Sequence, residues 1–186
     1  MHLDGSHILN APPQQVWNLI LDPDVLARAT PGVKTLSPLG DDKYDAVFEV
    51  KMGPVSGQFK GSMEVVDKIE PESFKLKMKM NGKIGNVAAA GNLQLAGTGN
   101  NQTEVTFSGD AKLTGTLART GQRVLSGVAK TMTSQFFKSL EEELAASKGA
   151  VEKIGFFAKI ANWFKRLFGA KKAEAKEKAQ EKTGRY

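Results

Sequence analysis

The sequence predicts an α+β domain: a curved antiparallel sheet wrapped around a long helix, with a separate amphipathic helix after it. Three observations predict this. From 33 to 114 apolar and polar residues alternate with a period of two, in runs separated by turn clusters. From 119 to 145 the period becomes that of a helix. From 152 to 169 a second helical pattern sets aromatic residues against cations.

Taken in order, residues 3–9 read as a short strand. Asn10-Ala11-Pro12-Pro13 then opens a short helix, on which Val16, Trp17 and Ile20 share a face. Asp22-Pro23 closes it, because a residue before proline avoids the helical region. Asp22 or Asp24 can cap a second short helix through Ala27, and Pro31-Gly32 is a turn. The segment from Asp22 to Pro31 is the expected gate of any cavity beneath it.

The strand region follows. Phe74, Leu76, Met78 and Met80 alternate with Lys75, Lys77 and Lys79, so one face is apolar and the other cationic. Turns are expected at Gly40-Asp41-Asp42, Gly53-Pro54, Glu70-Pro71-Glu72, Asn81-Gly82 and 97–101. Glycines within the runs (Gly57, Gly61, Gly91, Gly109) predict bulges and curvature. Leu125, Val128, Ala129, Met132, Phe136, Leu140 and Leu144 then form one stripe of a helix long enough to cross a sheet. Ser147-Lys148-Gly149 is the expected linker, which divides the chain into a folded domain, 1–147, and a tail, 148–186.

Charge belongs to the tail. The net charge is +6, and residues 150–186 hold ten Lys/Arg against four acids, which is the whole excess. The remaining 149 residues carry 16 basic and 16 acidic groups, so the body has no electrostatic reason to hold a phosphate polymer and no nucleic-acid partner is expected. Cysteine is absent, which removes disulfides, thiolate metal sites and a cysteine nucleophile. The opening residues lack the basic n-region and long apolar run of a secretory leader. No stretch reaches the roughly 18 apolar residues of a membrane span.

The tail carries the sharpest physical signal. Phe156, Phe157, Ile160, Trp163, Phe164, Leu167 and Phe168 fall at helical spacing. The other face holds Lys153, Lys159, Lys165 and Arg166, with Lys171 and Lys172 beyond, and no acid lies between Glu152 and Glu174. This is the pattern of a helix lying in a membrane interface. Each cation near an anionic leaflet contributes at most about 1 kcal/mol. Each apolar side chain adds about 1.5–3 kcal/mol on full burial, and interfacial burial is partial. Docking on a protein partner, or packing within the chain, would use the same stripe.

Chemistry is harder to find. The only histidines, His2 and His7, are five apart on a strand and point to opposite faces, so they form no metal pair and read as surface positions. No nucleophile elbow, phosphate-binding loop or dinucleotide fingerprint is present. Asp41-Asp42 reads as a turn and Glu141-Glu142-Glu143 as a solvated helix end. No catalytic residue and no metal site is expected. Instead Met52, Met63, Met78, Met80 and Met132 fall on inward positions, the soft lining of an adaptable pocket or ordinary core packing. Gly121 and Gly127 are expected inside the long helix, where small residues either bring helix and sheet close or leave room for a ligand.

Several stretches resemble a known family: Val16-Trp17-Asn18-Leu19-Ile20-Leu21-Asp22-Pro23, Thr30-Pro31-Gly32, and Lys51-Met52-Gly53-Pro54-Val55-Ser56-Gly57-Gln58-Phe59-Lys60-Gly61. The run from Gly115 through Leu117-Ala118-Arg119-Thr120-Gly121-Gln122-Arg123, running on to Gln135-Phe136-Phe137, completes the set. Together they resemble the CoxG family of carbon monoxide dehydrogenase, a branch of the START-like (SRPBCC) helix-grip superfamily. Two departures are Ala29, where the family pattern has cysteine, and 81–92, which the family has richer in glycine. The resemblance implies a cavity between sheet and long helix for a hydrophobic small molecule. Its lining is expected from Trp17, Phe48, Phe59, Met63, Met78 and Met80 of the first part of the chain. Phe107, Leu117, Gly121, Leu125, Val128, Met132 and Phe136 complete it.

The resemblance also implies service to a molybdenum hydroxylase of the carbon monoxide dehydrogenase type. The ligand would be an isoprenoid quinone, menaquinone or ubiquinone, with no covalent cofactor. The location implied is the cytoplasm, peripheral on the inner face of the cell membrane, an anionic surface. A pure recruitment adaptor or assembly factor, with a core in place of a cavity, is the alternative. A START-like cyclase or hydrolase is a third reading, and it would need buried ionisable groups.

Overall fold

A computed structural model describes residues 1–169 as backbone and the side chains of 1–147. The chain divides into two units, Met1–Leu144 and the residues from Ala145 on. The first is a seven-stranded, fully antiparallel sheet in the order β1-β7-β6-β5-β4-β3-β2, with helices gathered on one face.

Strand β1 (His2–Leu9) is followed by α1 (Pro13–Ile20) and α2 (Pro23–Ala29). Asp22, not Asp24, caps α2, its carboxylate accepting from the backbone N–H groups of Asp24 and Val25 at 2.8 and 3.1 Å. The helix runs to Ala29, beyond the expected end at Ala27. Six strands then form the meander: β2 (Val33–Gly40), β3 (Lys43–Met52), β4 (Val55–Ile69), β5 (Ser73–Gly82), β6 (Gly85–Gly99) and β7 (Gln102–Leu113). The alternation in β5 holds. Phe74 and Met80 are buried, Leu76 and Met78 half-buried, and all three lysines exposed.

One turn differs from expectation. Asn81-Gly82 ends β5 in register with Asn86 and Gly85, and the turn is Lys83-Ile84. Asn-Gly is a strong hairpin signal in isolation. Here Gly82 lies against Phe59, whose ring leaves no space for a side chain: a Cβ would meet it at 2.6 Å. Gly82 is therefore a packing glycine. Gly61 serves the sheet in a related way, since a Cβ there would fall 1.9 Å from the Lys79 carbonyl on β5.

The long helix also begins later and runs further than expected. A short helix α3 (Thr116–Arg119) comes first, and α4 spans Gln122–Gly169. Gly121 is not within the helix. It sits before it at φ +74°, the left-handed region glycine tolerates, and turns the chain between α3 and α4. The expected linker at 147–149 is helical backbone, because one glycine among alanines weakens a helix without ending it.

Two apolar clusters lie between sheet and helices. The first joins Trp17 and Ile20 of α1, Leu9, Val105 and Phe74 of the sheet, and Phe137, Leu140 and Leu144 of α4. Phe137 is the buried phenylalanine of the pair, and Phe136, expected on the inner stripe, is half-buried beside this cluster. The second gathers Ala46, Phe48, Val55, Phe59, Met80 and Leu117 around Leu125.

Candidate functional site

Beside the second cluster the packing stops short. A cavity of about 240 Å³ lies between the sheet and the start of α4. Its sheet wall is Phe48 and Val50 on β3, Val55 and Phe59 on β4, and Met78 and Met80 on β5. Its floor is Val87 and Ala89 on β6 with Ala111 and Leu113 on β7, and Met1 at the edge. Leu117 of α3 closes one end, and Leu125, Val128, Ala129 and Met132 of α4 form the roof.

Every lining side chain is apolar. Period-two patterning explains this, because β5, β6 and β7 each present alternate residues to the same face, and here those residues are aliphatic. The small residues of one cross-strand pair on the floor, Ala89 opposite Ala111, help leave this space unfilled. Met78, Ala89, Ala111, Val128 and Met132 are all half-buried, so this lining is partly open to solvent.

A second cavity of about 220 Å³ adjoins the first over Gly91, Gly109 and Leu3, and shares Met1, Met78, Ala89 and Ala111 with it. No residue of α4 lines it. The start of α4 packs toward β3 and β4 (Leu125 with Phe48 and Phe59), while its later turns pack toward β1 and β7 (Leu140 with Leu9 and Val105). Such a crossing leaves one corner of the sheet uncovered.

Of the lining expected from the sequence, the structure brings Phe48, Phe59, Met78, Met80 and Leu117 to the first cavity, with Leu125, Val128 and Met132. It does not bring Trp17, Met63, Phe107, Phe136 or Gly121 there. Trp17 packs edge-on against Phe74 at 5.6 Å between ring centres, and Met63 belongs with it to the first cluster. Phe107 lines the second cavity. Gly121 stands in the turn before α4, with nothing within 4 Å of where its Cβ would be. Gly127 is exposed on α4, also facing open space. Val87, Ala89, Ala111 and Leu113 join the lining without having been expected there. Their signal is the inward register of β6 and β7, which the alternation of Val87, Ala89, Gly91 and Leu93 does carry.

Polar contacts cluster at the other end of the described part of α4. His7 is not a free surface position: its ring stacks on Phe137 at 4.6 Å, and Nε2 lies 2.9 Å from Glu141 Oε1. Arg28 of α2 donates to both carboxylate oxygens of Glu143 at 2.8 and 2.9 Å. That bond holds the Glu143 carboxyl below the usual range, and it raises the Arg28 guanidinium. The glutamate run is thus a pair of ties, not only a solvated end. On β3, hydrogen bonds from Lys34 and then Lys51 lower Glu49 to about 2.

Among the described residues no group of three His, Cys, Asp or Glu could hold a metal ion. No buried side-chain nitrogen or oxygen there lacks a hydrogen-bond partner. No described helix is long and apolar enough to cross a membrane. The residues expected to face a membrane, Phe156 through Phe168 with Lys153, Lys159, Lys165 and Arg166, lie outside the described side chains. The backbone of that stretch belongs to α4.

The family model of the CoxG subunit of carbon monoxide dehydrogenase matches residues 5–145. No curated protein matches the chain. Among solved structures, a conserved protein from Geobacillus kaustophilus is similar at 34% identity and a TM-score of 0.77, over 79% of this chain and 97% of that one. A START superfamily protein from Mycobacterium smegmatis shares the fold at 12% identity and a TM-score of 0.61, over 78% and 97% of the two chains. The family match starts within β1 and takes in the last buried leucine of the first unit, Leu144, and this chain belongs to the carbon monoxide dehydrogenase CoxG family.

Proposed function

We propose that this protein is a non-enzymatic carrier of an apolar small molecule, an isoprenoid quinone or similar lipid, working between a membrane surface and a molybdenum hydroxylase of the carbon monoxide dehydrogenase type. One observation carries the reading: a cavity lined only by apolar side chains, flexible methionines of β5 and α4 among them, that adjoins a mainly apolar uncovered corner of the sheet. An apolar void that size is costly when empty and useful when filled. The first cavity alone is smaller than the roughly 300 Å³ of a typical ligand pocket, and the adjoining one supplies the remainder.

The family name supports the enzyme partner, and the tail supports the cytoplasmic face of the membrane. The aromatic and cationic faces of 152–169 suit docking on an anionic leaflet. Arg28–Glu143 ties α2 to α4, and the segment from Asp22 to Pro31, which lines neither apolar cavity, is proposed as the gate only through this hold on α4.

Quinone-loaded anionic vesicles separate this from a ligand-free recruitment adaptor. The full chain, incubated with them and then separated by flotation, should leave with quinone in its soluble fraction at up to one per chain. Binding to vesicles without extraction of quinone would leave the adaptor and sink the carrier.

A further inference from the structure

The second cavity adjoins a third of different character. It holds about 210 Å³ and shares Leu3 and Phe107 with the second cavity. Its remaining lining is mostly polar: Asp4, Ser6 and His7 of β1, and Lys130, Thr133 and Ser134 of α4, with Phe137 the one apolar addition among the described residues. At the β1 edge the linings run from Met1 through Leu3 to His7, while α4 lends Leu125 to Met132 to the first cavity, Lys130 to Phe137 to the third and nothing to the second. At strand rise the β1 side of this track is roughly 20 Å long. One end is lined by apolar side chains and the other presents donors.

We infer that the third cavity is a head-group site, and that the ligand is a long-chain amphiphile lying with its chain toward Leu117 and its hydrogen-bond-accepting head beside Lys130, Thr133 and Ser134. This rests on the carrier reading and adds an orientation to it. Lys130 makes no ion pair with another described residue, and the Thr133 and Ser134 hydroxyls hold no hydrogen bond to one. His7 spends Nε2 on Glu141, which leaves Nδ1 as its second polar atom. Lysine and two hydroxyls offer donors to an acceptor, whether the carboxylate of a fatty acid or the carbonyl of a quinone ring. Asp4, the one acid lining the site, lies 3.6 Å from His2 and is exposed, which disfavours a second negative charge near the rim and favours a head centred on the α4 side.

Photocrosslinking to the full chain reads the orientation directly. Three probes are used: a fatty acid photoreactive beside its carboxylate, the same acid photoreactive at its far end, and a quinone with an azide on the ring. Head labels should land on the peptide holding Lys130, Thr133 and Ser134 or on that holding Leu3 to His7. The far-end label should land on the peptides holding Leu117, Val87 or Phe59. If only the acid labels the third cavity, the site takes anions, and if only the ring does, it takes neutral carbonyls. Lys130→Met should weaken fatty-acid binding about three- to fivefold, the weight of an exposed ion pair. Head labels on Leu117 or Phe59 would overturn the orientation while leaving the carrier reading intact. No saturable labelling by any probe would overturn both.

Discussion

Arg28 and Glu143 meet side-on across 115 residues, Nε donating to Oε1 and Nη2 to Oε2, and so join the short helix α2 to the long helix α4. The pair is solvent-exposed on the arginine side, where an ion pair contributes little to global stability. Its place matters more than its strength, because the buried side chains of α2 are only Val25, Leu26 and Ala29. Arg28→Ala should therefore leave the melting temperature within a few degrees and speed ligand exchange several-fold, measured by stopped-flow displacement of a fluorescent apolar probe. An unchanged exchange rate would remove α2 as the gate.

The same pair sets a pH dependence. The Glu143 carboxyl is lowered in the folded protein, first by its hydrogen bond to Arg28. A lowered carboxyl stabilises the fold above its unfolded value near 4.5, and that contribution is lost as pH falls through the folded value. Arg28 is raised and stays charged throughout this window. Comparing wild type with Glu143→Gln, stability curves should converge as pH falls below about 4.5 and separate above it.

Filling the cavity should block binding without unfolding the protein. Ala89 and Ala111 face each other across β6 and β7 on its floor. Ala89→Phe places a ring where no side chain now packs, so overpacking strain is small and added burial offsets it. Apolar-probe binding should fall at least tenfold, with a melting temperature equal to or above wild type.

The true core should respond in the opposite sense. Leu140 is fully buried between α4 and the first cluster. Leu140→Ala should cost about 3 kcal/mol and lower the melting temperature by roughly 10 °C. Probe binding at low temperature should survive, since Leu140 lines neither apolar cavity.

Two facing glycines give a finer test. A Cβ on Gly109 would come within 2.8 Å of the Ala90 carbonyl, whereas one on Gly91 meets nothing closer than 3.4 Å. Gly109→Ala should destabilise measurably in urea titration. Gly91→Ala should fold normally and narrow the second cavity.

Much of this is legible in the sequence because its causes are local. Lysines at 75, 77 and 79 set the inner face of β5 without ambiguity, and the cap of α2 is narrowed to Asp22 or Asp24, of which the structure selects Asp22. The turn at Lys83-Ile84 is not legible, because Gly82 is needed by the Phe59 ring and not by a turn. Phe136 and Phe137 both fit a helical stripe, and only contact with His7 and Phe107 decides between them. The cavity itself is a tertiary absence. Its wall is foreshadowed by Phe48, Met78 and Met80, but its alanine floor depends on which strands lie beneath the start of α4. Gly121 falls outside the helix because a helical stripe does not reveal a left-handed residue just ahead of it.

The carrier reading is tested most directly by native mass spectrometry, with organic extraction, of the full chain purified from a host that makes quinone. One quinone or lipid per chain is expected, lost in Ala89→Phe and retained in Leu140→Ala below its melting temperature. A protein that is empty throughout, yet binds anionic vesicles through 152–169, would contradict it.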